Sequence, residues 1–90
     1  MLKIVASSRF KKDMRLAAKR SLDLSKLREV VNTLAAELPL DRHYYDHEVT
    51  GSCAGFRECH IQPDWLLVYR IEKEELELFL FRTGTHSDLF

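Results

Sequence analysis

Titratable side chains outside the amphipathic segments gather in three stretches of this chain: "YYDHE" (Tyr44–Glu48), "ECHIQPD" (Glu58–Asp64) and "RTGTHSDLF" (Arg82–Phe90). Each supplies an imidazole and at least one carboxylate within a few residues. Such combinations suit proton transfer near neutral pH, where histidine changes charge without any perturbation. Glu58 and His60 are two apart in an alternating segment, so their α-carbons stand about 6.6 Å apart on one strand face. A carboxylate–imidazole pair is the expected product. Other chemistries lack their spacing. Zinc would call for C-x-x-C, H-E-x-x-H or a helical H-x(3–5)-H, and none occurs; His43 and His47 are four apart but fall in a loop segment. No G-x-S-x-G elbow marks acyl transfer, and the three glycines are scattered rather than gathered into a phosphate-cradling loop. No metal site and no cofactor are expected. Taken singly, each candidate also has an ordinary explanation: a surface histidine, a solubilising sheet-edge glutamate, or Asp64 as a turn residue after Pro63.

The elements that must hold these stretches can be read from periodicity. "LKIVA" (Leu2–Ala6) is short, apolar and β-branched, which predicts a strand. Ser7 and Ser8 offer N-caps, and Phe10, Met14, Ala17 and Ala18 recur at helical spacing. Asp23 or Ser25 caps a second helix with a stripe of Leu27, Val30, Val31, Leu34, Ala35 and Leu38, and Pro39 ends it. "LDRHYYDHEVTGS" (Leu40–Ser52) has no regular period and reads as a surface loop. Next, "CAGFRECHI" alternates, with Phe56, Glu58 and His60 on one face and Arg57, Cys59 and Ile61 on the other. "WLLVYRI" (Trp65–Ile71) is apolar on both faces, hence central in a sheet. "LELFLFR" follows a short turn, and Gly84 is expected to break that strand. Short turns between successive strands mean antiparallel neighbours. The predicted fold is α+β, ordered β-α-α-β-β-β: a mostly antiparallel four-stranded sheet, one face covered by an N-terminal helical hairpin, with a short C-terminal tail or helical turn. Antiparallel order lets the three titratable stretches converge at one sheet edge.

Ninety residues make one domain, 1–90, with a modest core. Hydrophobic residues at 46% and charged residues at 31% indicate a soluble globular protein, and no apolar run approaches the roughly 18 residues of a membrane span. The opening residues lack a signal peptide's pattern, so a cytoplasmic location is expected. Cys53 and Cys59 share strand parity but lie six apart, too far for a local bridge, and are expected as free thiols. The zero net charge hides an asymmetry: residues 1–45 hold ten Lys/Arg against five Asp/Glu, and residues 46–90 four against nine. Most of the basic excess falls on the first helix, which is either a solvated surface or a face able to meet phosphates.

"YDHEVTGSCAGFRECHIQPDWLLVYRI" followed by "FRTGTHSDLF" resembles the YafQ branch of the RelE/ParE superfamily, toxins of bacterial type II toxin–antitoxin systems. The resemblance runs over the whole chain. Its three motifs, a D-H loop, an R-[DE]-x-H-[IV]-x-P-D hairpin and an R-x-G-[ST]-H-x-x-L-F terminus, are specific together and weak alone. Glu48-Val49-Thr50 stands where a more apolar stretch is usual, and Glu58 where some members carry aspartate. The resemblance implies a ribosome-dependent endoribonuclease that cuts mRNA without a metal and so inhibits translation. It implies catalytic roles for His86, His60, His47, Asp64 and Glu58, with Arg82 holding the phosphate and Phe90 stacking on a base. His86 is expected nearest the scissile phosphate, with His60 or His47 as the opposite acid or base. Implied partners are a cognate antitoxin, the 70S ribosome with mRNA, and promoter DNA only as the toxin–antitoxin complex; no membrane is involved. Two other functions stay open: a ParE-like toxin that binds a protein such as DNA gyrase without cutting RNA, and an inactive antitoxin-binding homologue.

Overall fold

The parity of the third strand decides the layout, because it must send Cys59 and Ile61 one way and Glu58 and His60 the other. A computed structural model, describing residues 1–51 and 55–90, fulfils this. The elements run β1 (Lys3–Ala6), α1 (Ser8–Lys19), α2 (Leu24–Ala35), a 3₁₀ turn (Arg42–Tyr44), β2 (His47–Glu48), β3 (Arg57–Gln62), β4 (Trp65–Glu72), β5 (Glu77–Gly84) and α3 (His86–Leu89). The sheet order is β1-β5-β4-β3-β2, with β1 parallel to β5 and the other pairs antiparallel.

The α+β class and the helical hairpin on one sheet face agree with expectation, and the strand count does not. The sheet has five strands rather than four, because part of the expected 40–52 loop forms β2 against β3 and another part forms the 3₁₀ turn. A two-residue strand has no period to read; its pairing partner creates it. The second helix also stops earlier than expected, at Ala35. The residue before a proline is driven from the helical region, so the helix must close before Leu38; Glu37 does this in the left-handed region at φ 59°, and Leu38 is left exposed. The last strand ends at Gly84, as expected, and Gly84 pairs with Leu66 as its final residue.

Both helices start as their sequences dictate. The Ser7 hydroxyl accepts the Phe10 N–H at 2.9 Å, and the Asp23 carboxylate accepts the Ser25 N–H at 3.0 Å. Their inner stripes, Phe10 and Ala17, then Leu27, Val30, Val31, Leu34 and Ala35, pack on Cys59, Ile61, Trp65, Leu67, Tyr69, Leu78 and Leu80 of the sheet. Burial pushes the Cys59 thiol up to about 12, an inert free cysteine. Cys53 lies outside the described residues. Leu66 and Val68 are also buried, but on the sheet face away from the helices. That second face carries the site.

Candidate active site

Cross-strand register lays out the centre of the site. Glu58 and His60 of β3 pair with Val68 and Leu66 of β4, so two buried apolar side chains floor them. The row extends both ways: His47 of β2 stands opposite Glu58, and Arg82 of β5 stands opposite Val68.

Glu58 is 7% exposed, and its Oε1 lies 3.5 Å from His47 Nε2 and 3.8 Å from His60 Nε2. A carboxylate this buried is costly unless charge or hydrogen bonds face it, and the two imidazoles do so. The His47 ring is oriented from behind. Its Nδ1 is 2.6 Å from the Tyr45 carbonyl, which can only accept, so the hydrogen sits on Nδ1 and Nε2 is the atom presented to Glu58. Asp46 pins this segment to the core. It accepts the Tyr69 hydroxyl at 2.5 Å and the Arg57 Nε and Nη2 at 3.3 Å each. Burial first, and then the bond to Asp46, hold the Tyr69 hydroxyl well above the usual phenol range.

The C-terminal wall is assembled differently. α3 has four residues, too few to be helical unaided. Thr85 and Asp88 close a capping box: the Thr85 hydroxyl accepts the Asp88 N–H at 3.1 Å, and the Asp88 carboxylate accepts the Thr85 N–H at 2.9 Å. Arg20, the C-cap of α1, adds a two-pronged bond to the same carboxylate at 2.7 and 3.3 Å. That bond, with the Thr85 N–H, holds the Asp88 carboxyl far below the usual range. Gly84 is needed for this fit, because a β-carbon there would stand 2.9 Å from Asp88 Oδ2. Asp64, in the β3–β4 turn, receives the His86 backbone N–H at 3.2 Å and lies 2.9 Å from its Nδ1. The ring bond, more than the backbone one, keeps the Asp64 carboxyl below its ordinary value.

The two walls meet. The His86 and His60 ring centroids are 5.7 Å apart in an edge-on arrangement, and those of His47 and His60 are 6.4 Å apart. His47, Glu58, His60, Asp64 and His86 therefore converge as the sequence predicts. Donor atoms of Glu58, His60 and His86 also fall within 4.8 Å of one another, a three-donor grouping that could hold a metal ion. Motif spacing gave no sign of it, because its ligands come from β3 and α3 rather than from one local run.

Arg82 and Phe90 are placed otherwise. The Arg82 Nε and Nη2 are engaged by Asp13 of α1 at 2.8 and 3.1 Å, and Nη1 makes no hydrogen bond among the described residues. β1 covers β5 only as far as Leu80; beyond it Asp13 takes the free edge, accepting the Thr83 N–H at 3.1 Å as well. Phe90 donates its N–H to the His86 carbonyl at 2.9 Å and is 65% exposed as a residue. Sequence reasoning missed Tyr45, Asp46, Asp13 and the Arg20–Asp88 bond. Of these, the capping box had a legible signature in Thr85-x-x-Asp88.

Comparison with known proteins gives the class to which this chain belongs, the toxins of bacterial type II toxin–antitoxin systems. The family model for YafQ, the bacterial toxin of a type II toxin–antitoxin system, matches residues 2–90. The mRNA interferase toxin YafQ of Escherichia coli K12 is 41% identical over 85 residues, 93% of this chain and 90% of its own length. Among solved structures, a metal-bound toxin from Helicobacter pylori superposes with a TM-score of 0.95 at 50% identity, all of both chains being covered. YafQ in the E. coli DinJ–YafQ complex superposes at 0.90 with 40% identity, over 100% of this chain and 99% of that one. The chain belongs to the YafQ toxin family.

Proposed function

We propose that residues 1–90 act as one domain, a cytoplasmic endoribonuclease that cuts ribosome-bound mRNA by histidine–carboxylate acid–base chemistry and so arrests translation. The observation that carries this reading is the meeting of a sheet-borne Glu58–His60 pair and a separately tethered His86 with their rings 5.7 Å apart. Cleavage of RNA without a bound group needs a base for the 2′-hydroxyl proton and an acid for the departing 5′-oxygen. His60, with Glu58 behind it, takes the 2′-hydroxyl proton as that oxygen attacks phosphorus. The P–O5′ bond breaks, a 2′,3′-cyclic phosphate forms, and His86 gives a proton to the 5′-oxygen. Asp64 occupies His86 Nδ1, which leaves Nε2 as the working atom, and the exposure of His86 lets water restore the proton. His47 and the free Nη1 of Arg82 stabilise charge on the phosphorane. Phe90 stacks on an unpaired base.

The exposed basic residues of α1, Arg9, Lys11, Lys12, Arg15 and Lys19, contact ribosomal RNA backbone, which positions the protein without reading sequence. An antitoxin is the cognate protein partner, as DinJ is for the E. coli relative; promoter DNA is met only as the toxin–antitoxin complex. No helix among the described residues is long and apolar enough to cross a membrane.

A second reading is favoured by the three-donor grouping and by the metal-bound H. pylori neighbour: a transition ion on Glu58, His60 and His86. Such an ion would occupy the nitrogens that proton transfer needs and would inhibit. The test is translation in a cell extract with mapping of mRNA 5′ ends, using the wild-type chain, His86→Ala and added chelator. New ends with the wild-type chain, lost in the variant and kept with chelator, support acid–base cleavage. Arrest without new ends contradicts it and favours a ParE-like binding toxin, and no arrest favours an inactive antitoxin-binding homologue.

A further inference from the structure

Beside the acid–base cluster lies a cleft of about 840 Å³ between α2 and residues 43–47, walled by His47 and His60 on the side shared with the cluster. Its size is that of small-ligand clefts generally, about 300–1,000 Å³. Tyr45 stands in its wall with 71% of its surface exposed, and its ring centroid is 5.8 Å from that of His60. The adjacent His43 and Tyr44 rings lie 4.0 Å apart, and Lys26 of α2 sits at the rim.

The fold makes no use of the Tyr45 ring. It lies outside the hydrophobic core, and no hydrogen bond among the described residues involves its hydroxyl. Yet its backbone is held in the left-handed region at φ 50°, which is unusual for an aromatic residue. The Arg42 carbonyl and the His47 ring hold it there from either side. An exposed aromatic ring, held beside imidazoles over an open cleft, is a stacking platform for an unpaired base. Strand geometry points the same way. A cleaved RNA strand must leave the scissile phosphate in two directions; His86 and Tyr45 both stand beside His60, and the cleft is lined by Tyr45 and His60 but not by Asp64 or His86.

We infer that the cleft is a nucleoside subsite, in which the base next to the scissile phosphate stacks on Tyr45 and its outer phosphate meets Lys26. The inference rests on the endoribonuclease reading, and two measurements separate their failures. The first compares ribosome-bound message cleavage by the wild-type chain, Tyr45→Asn, which tolerates the left-handed backbone, and Tyr45→Phe. Stacking of one base predicts a rise in KM of roughly 5- to 100-fold for Tyr45→Asn, with kcat nearly held, a changed distribution of 5′ ends, and recovery in Tyr45→Phe. Unchanged KM and an unchanged distribution overturn the subsite while the nuclease stands. The second titrates a dinucleotide into the full chain and follows the aromatic NMR signals. Shifts of the Tyr45 ring that saturate, weaker in Lys26→Ala, support the subsite even if the wild-type chain cuts nothing. No shift in the wild-type chain overturns it.

Discussion

The two walls of the site are built by opposite means. The sheet wall, Glu58 and His60 on β3, is fixed by backbone pairing to β4, and at Glu58 to β2 as well, and by a buried floor of Leu66 and Val68. The C-terminal wall, His86 on a four-residue helix, hangs on two carboxylates: Asp64 holds the ring, and Asp88 ties the helix to Arg20. Burial of apolar surface supports the first, and exposed or half-exposed polar bonds support the second. Damage to the first wall should therefore appear as lost stability, and damage to the second as lost rate.

His86→Ala gives the largest effect: cleavage falls roughly 10²- to 10⁴-fold, the usual contribution of a positioned acid or base. The thermal midpoint should hardly move, since the side chain is exposed. Leu66→Ala is the counterpart beneath the sheet wall. It should lower unfolding free energy by about 2–5 kcal/mol, read from the denaturant midpoint, because Leu66 is completely buried. Thr83→Val probes the same sheet more gently from its helix-side face, where Thr83 stands opposite Leu67. The Thr83 hydroxyl accepts the Trp65 indole N–H at 2.9 Å and donates to the Leu66 carbonyl at 2.6 Å, so its loss should cost about 1–3 kcal/mol. Arg20→Ala should reverse the pattern, with little change in midpoint and a several-fold loss in kcat; equal losses of rate and stability would erase the distinction between the walls.

Acid offers the mildest test. The Asp88 and Asp64 carboxyls both titrate below their ordinary value of 3.8 when folded. Their contribution is thus complete above the unfolded value and is lost as pH falls through the folded ones. Amide protection in α3 should be constant from neutral pH to about pH 4 and fall below it, before the sheet amides respond.

How legible these walls were in the sequence follows from the same contrast. Strand parity alone put Glu58 and His60 together and Cys59 and Ile61 on the opposite face, since a period of two is local information. The helical stripes were legible for the same reason, up to Ala35. The existence of β2 and the engagement of Arg82 by Asp13, 69 positions away, were not, because each depends on a partner that only the fold supplies, whereas the early end of α2 follows from the local effect of Pro39 on the residues before it. Antiparallel order allowed the stretches that carry His47, Asp64 and His86 to meet at one sheet edge, and resemblance singled out those residues within them. The Arg20–Asp88 bond had no local signal beyond the capping box.

The central claim is that the two walls act as one acid–base pair, with His86 as the acid. The direct measurement is single-turnover cleavage of ribosome-bound mRNA whose scissile 5′-oxygen is replaced by sulfur, a leaving atom that needs no proton. Sulfur should restore the rate of His86→Ala toward wild type and leave His60→Ala slow. Rescue of His60→Ala instead, or of neither variant, would contradict it.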